Sequence, residues 1–261
     1  MRKVESPKEL RRICQRPPAA SRAKAIWRKG SIYLTWVLLH TPVDGIHVTV
    51  AWIIMGVVGS ALLALGSYWI PIAGALLLVL QHCLDVVDGE ITRYRKSESP
   101  IGMFLDKLGH NIVYPSIFLG LGFAVYRTYP IAAIFVFSFA AAISKLLMQN
   151  SGEVMGHVLR RWAERGGQLD VPVSVSPIDE RTKSQASLTR IVKRLHIPFL
   201  YTKGIDLVVL VTALADHLDI ALFFYGATMP IRAFFALRNC FRHMASVSDE
   251  PRALNTREEV H

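Results

Sequence analysis

Residues 85 to 110 read DVVDGEITRYRKSESPIGMFLDKLGH. Asp85 and Asp88 stand three residues apart, and Asp106 and His110 four apart. On a helix either spacing puts both side chains on one face. Gly89, Arg93, Ser99 and Gly102 fall between them, and apolar runs long enough to cross a membrane flank the stretch. Two helices meeting at this turn would bring three carboxylates and an imidazole to one point.

Such a cluster is expensive in lipid. One Asp at the centre of a membrane helix costs about 2.5–3.5 kcal/mol, so three fully immersed would approach ~10 kcal/mol, and fewer near the interface. A purely structural account needs cations, and only Arg93, Arg95, Lys96 and Lys107 are near in sequence. Bound divalent ions account for the acids better. Carboxylates are hard oxygen ligands suited to Mg²⁺ or Mn²⁺, and Mg²⁺ usually binds substrate phosphate as well.

These residues resemble the signature of the CDP-alcohol phosphotransferase (CDP-alcohol phosphatidyltransferase) family, Asp-x2-Asp-Gly-x2-Ala-Arg-x8-Gly-x3-Asp-x3-Asp. The order here is Asp85, Asp88-Gly89, Thr92-Arg93, eight residues, Gly102, Asp106 and His110, and every spacing matches. Thr92 stands where the family has Ala, and His110 where it has the last Asp. The stretch TPVDGIHVT (41–49) is similar to the family's approach to its first spanning helix, with Thr49 matching and Ile46 in place of an Asn.

The resemblance implies an all-α, polytopic membrane protein with about six transmembrane helices, an N-terminal interfacial helix and both termini cytosolic. It implies attack of an alcohol hydroxyl on the β-phosphate of a CDP-linked alcohol, with CMP leaving. CDP-diacylglycerol is the usual donor, and a phospholipid is then the product. Asp85, Asp88, Asp106 and His110 become ligands of one or two Mg²⁺ or Mn²⁺ ions. His110 takes the place of the proton acceptor, which an imidazole can fill. Gly89, Thr92, Arg93, Ser99, Gly102 and Thr49 become the nucleotide-binding set. Homodimers are usual in the family. Taken singly, Gly89 is also a helix-packing glycine, Arg93 a snorkelling arginine, Ser99 a loop serine and Thr49 a helix-start hydroxyl.

Composition agrees with a membrane class. Of 261 residues, 52% are hydrophobic, and the mean hydropathy is +0.33. The net charge of +10 would suggest nucleic acid in a soluble protein. In a membrane protein it marks cytosolic loops near anionic lipid, and no nucleic-acid partner is expected. Cys14, Cys83 and Cys240 share no metal-like spacing and form no disulfide framework. The first 30 residues are basic and lack an apolar core, so no cleavable signal is expected there.

The chain divides into a basic cytosolic arm (1–30), a membrane domain (31–240, with a cytosolic loop over about 149–204) and a polar tail (241–261). Pro7, Pro17 and Pro18 interrupt the arm, which reads as loosely ordered. SIYLTWVLLH (31–40) is too short to span and suits the interface. Spans are expected at 48–70, with Pro71 at the return, then at 72–84 running into Asp85, at 102–126 with a kink at Pro115, and at 131–148 with a helical extension. Residues 166–187 read as loop, and 191–201 as a return to the surface. The 33 apolar residues from 205 to 237 are too long for one crossing, and Asp216, His217 and Asp219 near their middle suggest a hairpin.

Loop charge orients the whole. Ten Lys and Arg lie before residue 45, four in 86–107, ten in 145–203 and five after 230, against Arg127 alone in the proposed outside turns. This asymmetry places the acids at the cytosolic face, most simply of the cell (inner) membrane. Glu90 lies about 140° round the helix from Asp85 and is not counted as a ligand. His82, Cys83, Asp216 and His217 read as structural or interfacial, and Ser144 and Lys145 lie where an acceptor pocket could open.

Three other functions fit parts of the sequence. One keeps the chemistry but uses a CDP-linked small alcohol, such as CDP-inositol or CDP-ethanolamine, as donor. A cation transporter would also carry intramembrane acids, but near the bilayer midplane. A basic membrane adaptor leaves the three aspartates without a role.

Overall fold

A computed structural model of the chain describes residues 4–15, 22–164, 201 and 204–258. Helices in order are α1 (Pro7–Cys14), α2 (Arg22–Leu39), α3 (Gly45–Ala64), α4 (Trp69–Arg95), α5 (Pro100–Thr128), α6 (Ala133–Glu164), α7 (Ile205–Leu214) and α8 (Leu218–Glu258). The described residues contain no strand. The protein is an all-α membrane protein. Among the described residues, five helices are long and apolar enough to cross a bilayer: α3, α4, α5, α6 and the 218–246 part of α8. About six were expected. The remaining place falls to α7, whose ten residues rise only ~15 Å of the ~30 Å hydrocarbon core.

The helix ends follow local chemistry. α4 stops because Lys96 turns left-handed (φ 54°) and the Ser97 N–H bonds back to the Thr92 carbonyl. Ser99 then caps α5, accepting from the Gly102 N–H at 3.1 Å, with Pro100 in the first turn. Arg95 steadies this end by donating to Asp44 Oδ1 and the Thr41 carbonyl, both at 2.7 Å. Between α7 and α8, Asp216 is left-handed (φ 59°) and His217 N–H reaches the Thr212 carbonyl, so the hairpin falls where the polar residues suggested.

Several boundaries differ from the sequence reading. The first crossing ends at Ala64, and the turn is 65–68. Pro71 sits in the first turn of α4, where its missing N–H costs nothing. The fourth crossing and its extension are one helix of 32 residues. The arm is not loose in its described part. Ser6 and Glu9 form a capping box on α1, and Leu10 and Cys14 pack with Ile32, Val87 and Ile91. The expected loop at 166–187 and the surface return at 191–200 lie outside the described residues.

The main core lies between α3, α4, α5, α6, α7 and α8, with Trp52, Ile117, Phe118, Leu121, Leu222 and Tyr225 fully buried. α3 packs chiefly on α4 and α5, and α6 on α8 and α5. Small residues set these crossings, as expected where lipid offers no hydrophobic drive between helices. A β-carbon on Gly120 would stand 2.2 Å from the Ser60 backbone oxygen, so α5 and α3 touch backbone to backbone there. Gly120→Ala should therefore cost about 1–3 kcal/mol through forced separation of the helices. That corresponds to a thermal midpoint lower by roughly 5 °C in detergent. Gly30→Ala, which meets nothing within 4 Å, should leave the midpoint unchanged or raise it.

Candidate active site

α4 carries Asp85 and Asp88, α5 carries Asp106 and His110, and the turn at 96–99 folds the two helices together. His110 Nε2 lies 3.1 Å from Asp85 Oδ1 and 3.7 Å from Asp106 Oδ1. One ligand atom from each of these three residues lies within 4.8 Å of the others. Octahedral Mg²⁺, with bonds of about 2.0–2.1 Å, sets its ligand atoms some 3 to 4 Å apart. The set therefore fits a small hard cation after shifts of about an ångström. Asp85 is shielded and Asp106 more open, so the cluster is reached from the Asp106 side.

Asp88 stands apart from this trio. Its Oδ2 accepts from Thr49 Oγ1 and from Trp52 Nε1, both at 2.8 Å, and the residue is 7% exposed. Thr49 thus holds an acid rather than facing an open pocket, and its hydroxyl also lies 3.1 Å from the Gly45 carbonyl. Trp52 was missed in the sequence. The available signal was its position one turn after Thr49 on the same face of α3. A β-carbon on Gly109 would stand 2.4 Å from the indole, so the absence of a side chain there admits the ring. The same indole lies tilted against His110 at 5.1 Å, and Tyr114 stacks on His110 at 5.7 Å. The imidazole packs against both rings with its Nε2 toward the acids.

The remaining sequence-derived residues each have a local partner. Ser99 and Gly102 make the cap of α5. Thr92 packs on α3, where a β-carbon on Gly45 would stand 2.0 Å from its hydroxyl. The bulkier Thr is thus matched by a missing side chain opposite. Arg93 Nε donates to the Cys14 carbonyl at 2.6 Å. Lys145 is buried, with Nζ 4.1 Å from the Tyr114 ring centre and donating to the Tyr201 carbonyl at 3.2 Å. Asn111 and Asn150 exchange amide hydrogen bonds at 3.4 and 3.1 Å, and Lys107 pairs with Glu153, so α6 is tied to α5 beside the cluster. His82 contacts Asp206 at 3.4 Å, both buried, and His217 contacts Asp219 at 3.6 Å.

The model of the family described as CDP-alcohol phosphatidyltransferase matches residues 46–175, which contain the whole acidic cluster. The chain belongs to the CDP-alcohol phosphatidyltransferase family. Membership makes it a transferase class in which a phosphoalcohol group passes from a CDP-alcohol to an alcohol acceptor within a membrane. Divalent metals are general in the family, and the Asp85, Asp106 and His110 trio can hold one. A comparison with curated proteins finds no match.

For a family member, Trp52 can act only through other residues, since it is fully buried. Trp52→Phe keeps a ring against His110 and removes the N–H that Asp88 accepts. Its expected effect is a 10-fold to 100-fold loss of CMP release, about the range for partners that orient a metal site. Titrating activity against Mg²⁺ or Mn²⁺ checks it: the half-saturating metal concentration should rise while the protein stays folded.

Proposed function

We propose that this chain transfers the phosphatidyl group of CDP-diacylglycerol to an alcohol hydroxyl, releasing CMP, as a step of phospholipid synthesis at the cytosolic face of the cell membrane. The convergence of Asp85, Asp106 and His110 where α4 and α5 meet carries this reading. Membrane-length helices surround the cluster, so a lipid donor can present its diphosphate there with its acyl chains in the bilayer. The basic loops around the acids support the cytosolic placement. The functional unit we propose is a homodimer, with the arm, membrane domain and tail divided as the sequence suggests.

Mg²⁺ or Mn²⁺, one ion or two, would be held by Asp85 and Asp106 with Asp88 behind them and would supply positive charge against the diphosphate and the departing CMP, while His110 Nε2 keeps its lone pair for a proton. Every other task falls to the chain. Thr49 and Trp52 fix the rotamer of Asp88. Arg93 offers the nucleotide diphosphate a planar fork of donors, and Gly89 leaves room for it. Thr92, Ser99 and Gly102 shape the backbone around that place. The acceptor oxygen bonds to the β-phosphorus as the bond from phosphorus to the CMP oxygen breaks, and CMP keeps the electron pair. The hydroxyl proton passes to His110 Nε2, and Asp85 at 3.1 Å steadies the resulting cation.

The test supplies purified protein with labelled CDP-diacylglycerol, CDP-inositol or CDP-ethanolamine, each with a pool of alcohol acceptors. CMP from CDP-diacylglycerol, abolished by a chelator and restored by Mg²⁺ or Mn²⁺, is the expected result. CMP from a small-alcohol donor alone would move the reading to that donor class. Silence with every donor in the presence of metal would end it.

A further inference from the structure

The N-terminal arm is attached to α4 by a buried carboxylate that has no place in the chemistry above. Glu90 is fully buried. Its Oε1 accepts from Ser31 Oγ and Gln15 Nε2, each at 2.8 Å, and its Oε2 accepts from Thr35 Oγ1 at 2.6 Å. Ser31 and Thr35 share one face of α2, and Gln15 ends α1. One side chain of α4 therefore gathers both arm helices. Gln15 and Arg28 close the pair, Gln15 Nε2 donating to the Arg28 carbonyl at 2.6 Å and Arg28 Nη1 to the Gln15 carbonyl at 3.2 Å.

The docked arm then reaches Arg93, one turn after Glu90 on the same side of α4. Arg93 Nε donates to the Cys14 carbonyl at 2.6 Å. That bond fixes the stem of the guanidinium and leaves its two terminal nitrogens over Gly89, 3.2 and 3.5 Å from where a β-carbon there would stand. Gly89 adjoins Asp88, so the guanidinium lies on α4 beside the turn that carries Asp85 and Asp88. An arginine has about four freely rotatable side-chain bonds, and holding it unaided would cost about 2 kcal/mol of rotamer entropy.

We propose that α1 and α2 form a positioning clamp for Arg93: Glu90 fastens the clamp, and the Cys14 carbonyl orients the fork toward the diphosphate of the CDP-linked donor. This rests on the functional reading above for the identity of the ligand. Glu90 and Cys14 are positioning residues and touch no substrate. All three donors to Glu90 are neutral, and a hydroxyl can reverse its hydrogen bond. Glutamine can therefore replace Glu90 and keep the clamp shut, whereas alanine cannot.

Cys14 reports on the clamp independently of turnover. Its side chain is buried, and that burial, with Glu90 close by, pushes the thiol up to about 11. A thiol of this kind reacts slowly with maleimide until it is uncovered. The experiment measures Cys14 labelling by mass spectrometry and CDP affinity by calorimetry with Mg²⁺. It uses the full-length protein, Glu90→Ala, Glu90→Gln, Arg93→Ala, the Glu90→Ala/Arg93→Ala double variant, and Ser31→Ala/Thr35→Ala as a second way to open the clamp. Glu90→Ala and Ser31→Ala/Thr35→Ala should label at least ~10-fold faster and bind CDP about 10-fold more weakly, with Glu90→Gln close to the parent on both counts. The double variant should bind CDP no worse than Arg93→Ala alone, because one effect acts through the other. Unchanged labelling in Glu90→Ala would overturn the fastening role. Faster labelling with unchanged CDP affinity, or additive losses in the double variant, would overturn the orienting role. CDP binding by the parent chain without CMP release from any donor would sink the transfer reading while leaving the clamp supported.

Discussion

Asp85→Asn is expected to slow CMP release by about 10³-fold, the kinetic equivalent of several kcal/mol of lost transition-state stabilisation at a metal site. Asp85 sits at the centre of the cluster, 3.1 Å from His110 Nε2 and more shielded than Asp106. Asn preserves shape and one oxygen but removes the charge that draws both the cation and the imidazole. The fold should survive, because removing a charge from a low-dielectric place relieves a desolvation cost. The check is single-turnover CMP release over a metal series, beside a thermal melt. A variant that regains the parent's rate at high metal has lost affinity only. A variant still slow at saturation has lost a group that acts in the transition state. Parent-like turnover at ordinary metal would remove Asp85 from the site.

His110 should show the second large effect, and here two substitutions separate two roles. His110→Ala removes the proton acceptor, and general-base catalysis contributes about 10²–10⁴-fold, so a loss of that size is expected. His110→Asp restores the residue that the family signature has at this position. It should keep most of the turnover and saturate at lower metal, since it adds a negative charge to the ligand set. The imidazole lies against the rings of Trp52 and Tyr114, and an Asp leaves that space partly empty. Some loss of positioning is expected, visible as a higher KM for the acceptor. Equal rates for His110→Ala and the parent would exclude the histidine as base.

Both predictions turn on one local fact about the chain. The spacing of Asp85, Asp88, Asp106 and His110 around a polar turn determines which helix faces can meet, and the turn chemistry at Lys96 to Pro100 makes them meet. Those are short-range properties, readable from residue order, helical periodicity and hydropathy. The membrane class, the hairpin at 216–217 and the gathering of Asp85, Asp106 and His110 were accessible in this way. The positions of helix ends were less so, because Gly66 and Ser67 interrupt the apolar run only briefly before Tyr68, Trp69 and Ile70 resume it.

Tertiary structure alone decided what each polar residue near the cluster bonds to. Asp88 belongs to the same periodic pattern as Asp85, yet it turns to Thr49 and Trp52, 39 and 36 residues away in the chain. Glu90 sits on the face of α4 that periodicity assigns to neither the site nor the apolar core. It is buried because Ser31, Thr35 and Gln15 arrive from 55 to 75 residues away. The arm looked loose because its prolines and charges lack an apolar stripe long enough to fold alone. Its described part is held by hydrogen bonds to a partner helix, which no local pattern records. A charged side chain in a low-dielectric place takes whichever donors the packing delivers, and packing is a property of the whole chain.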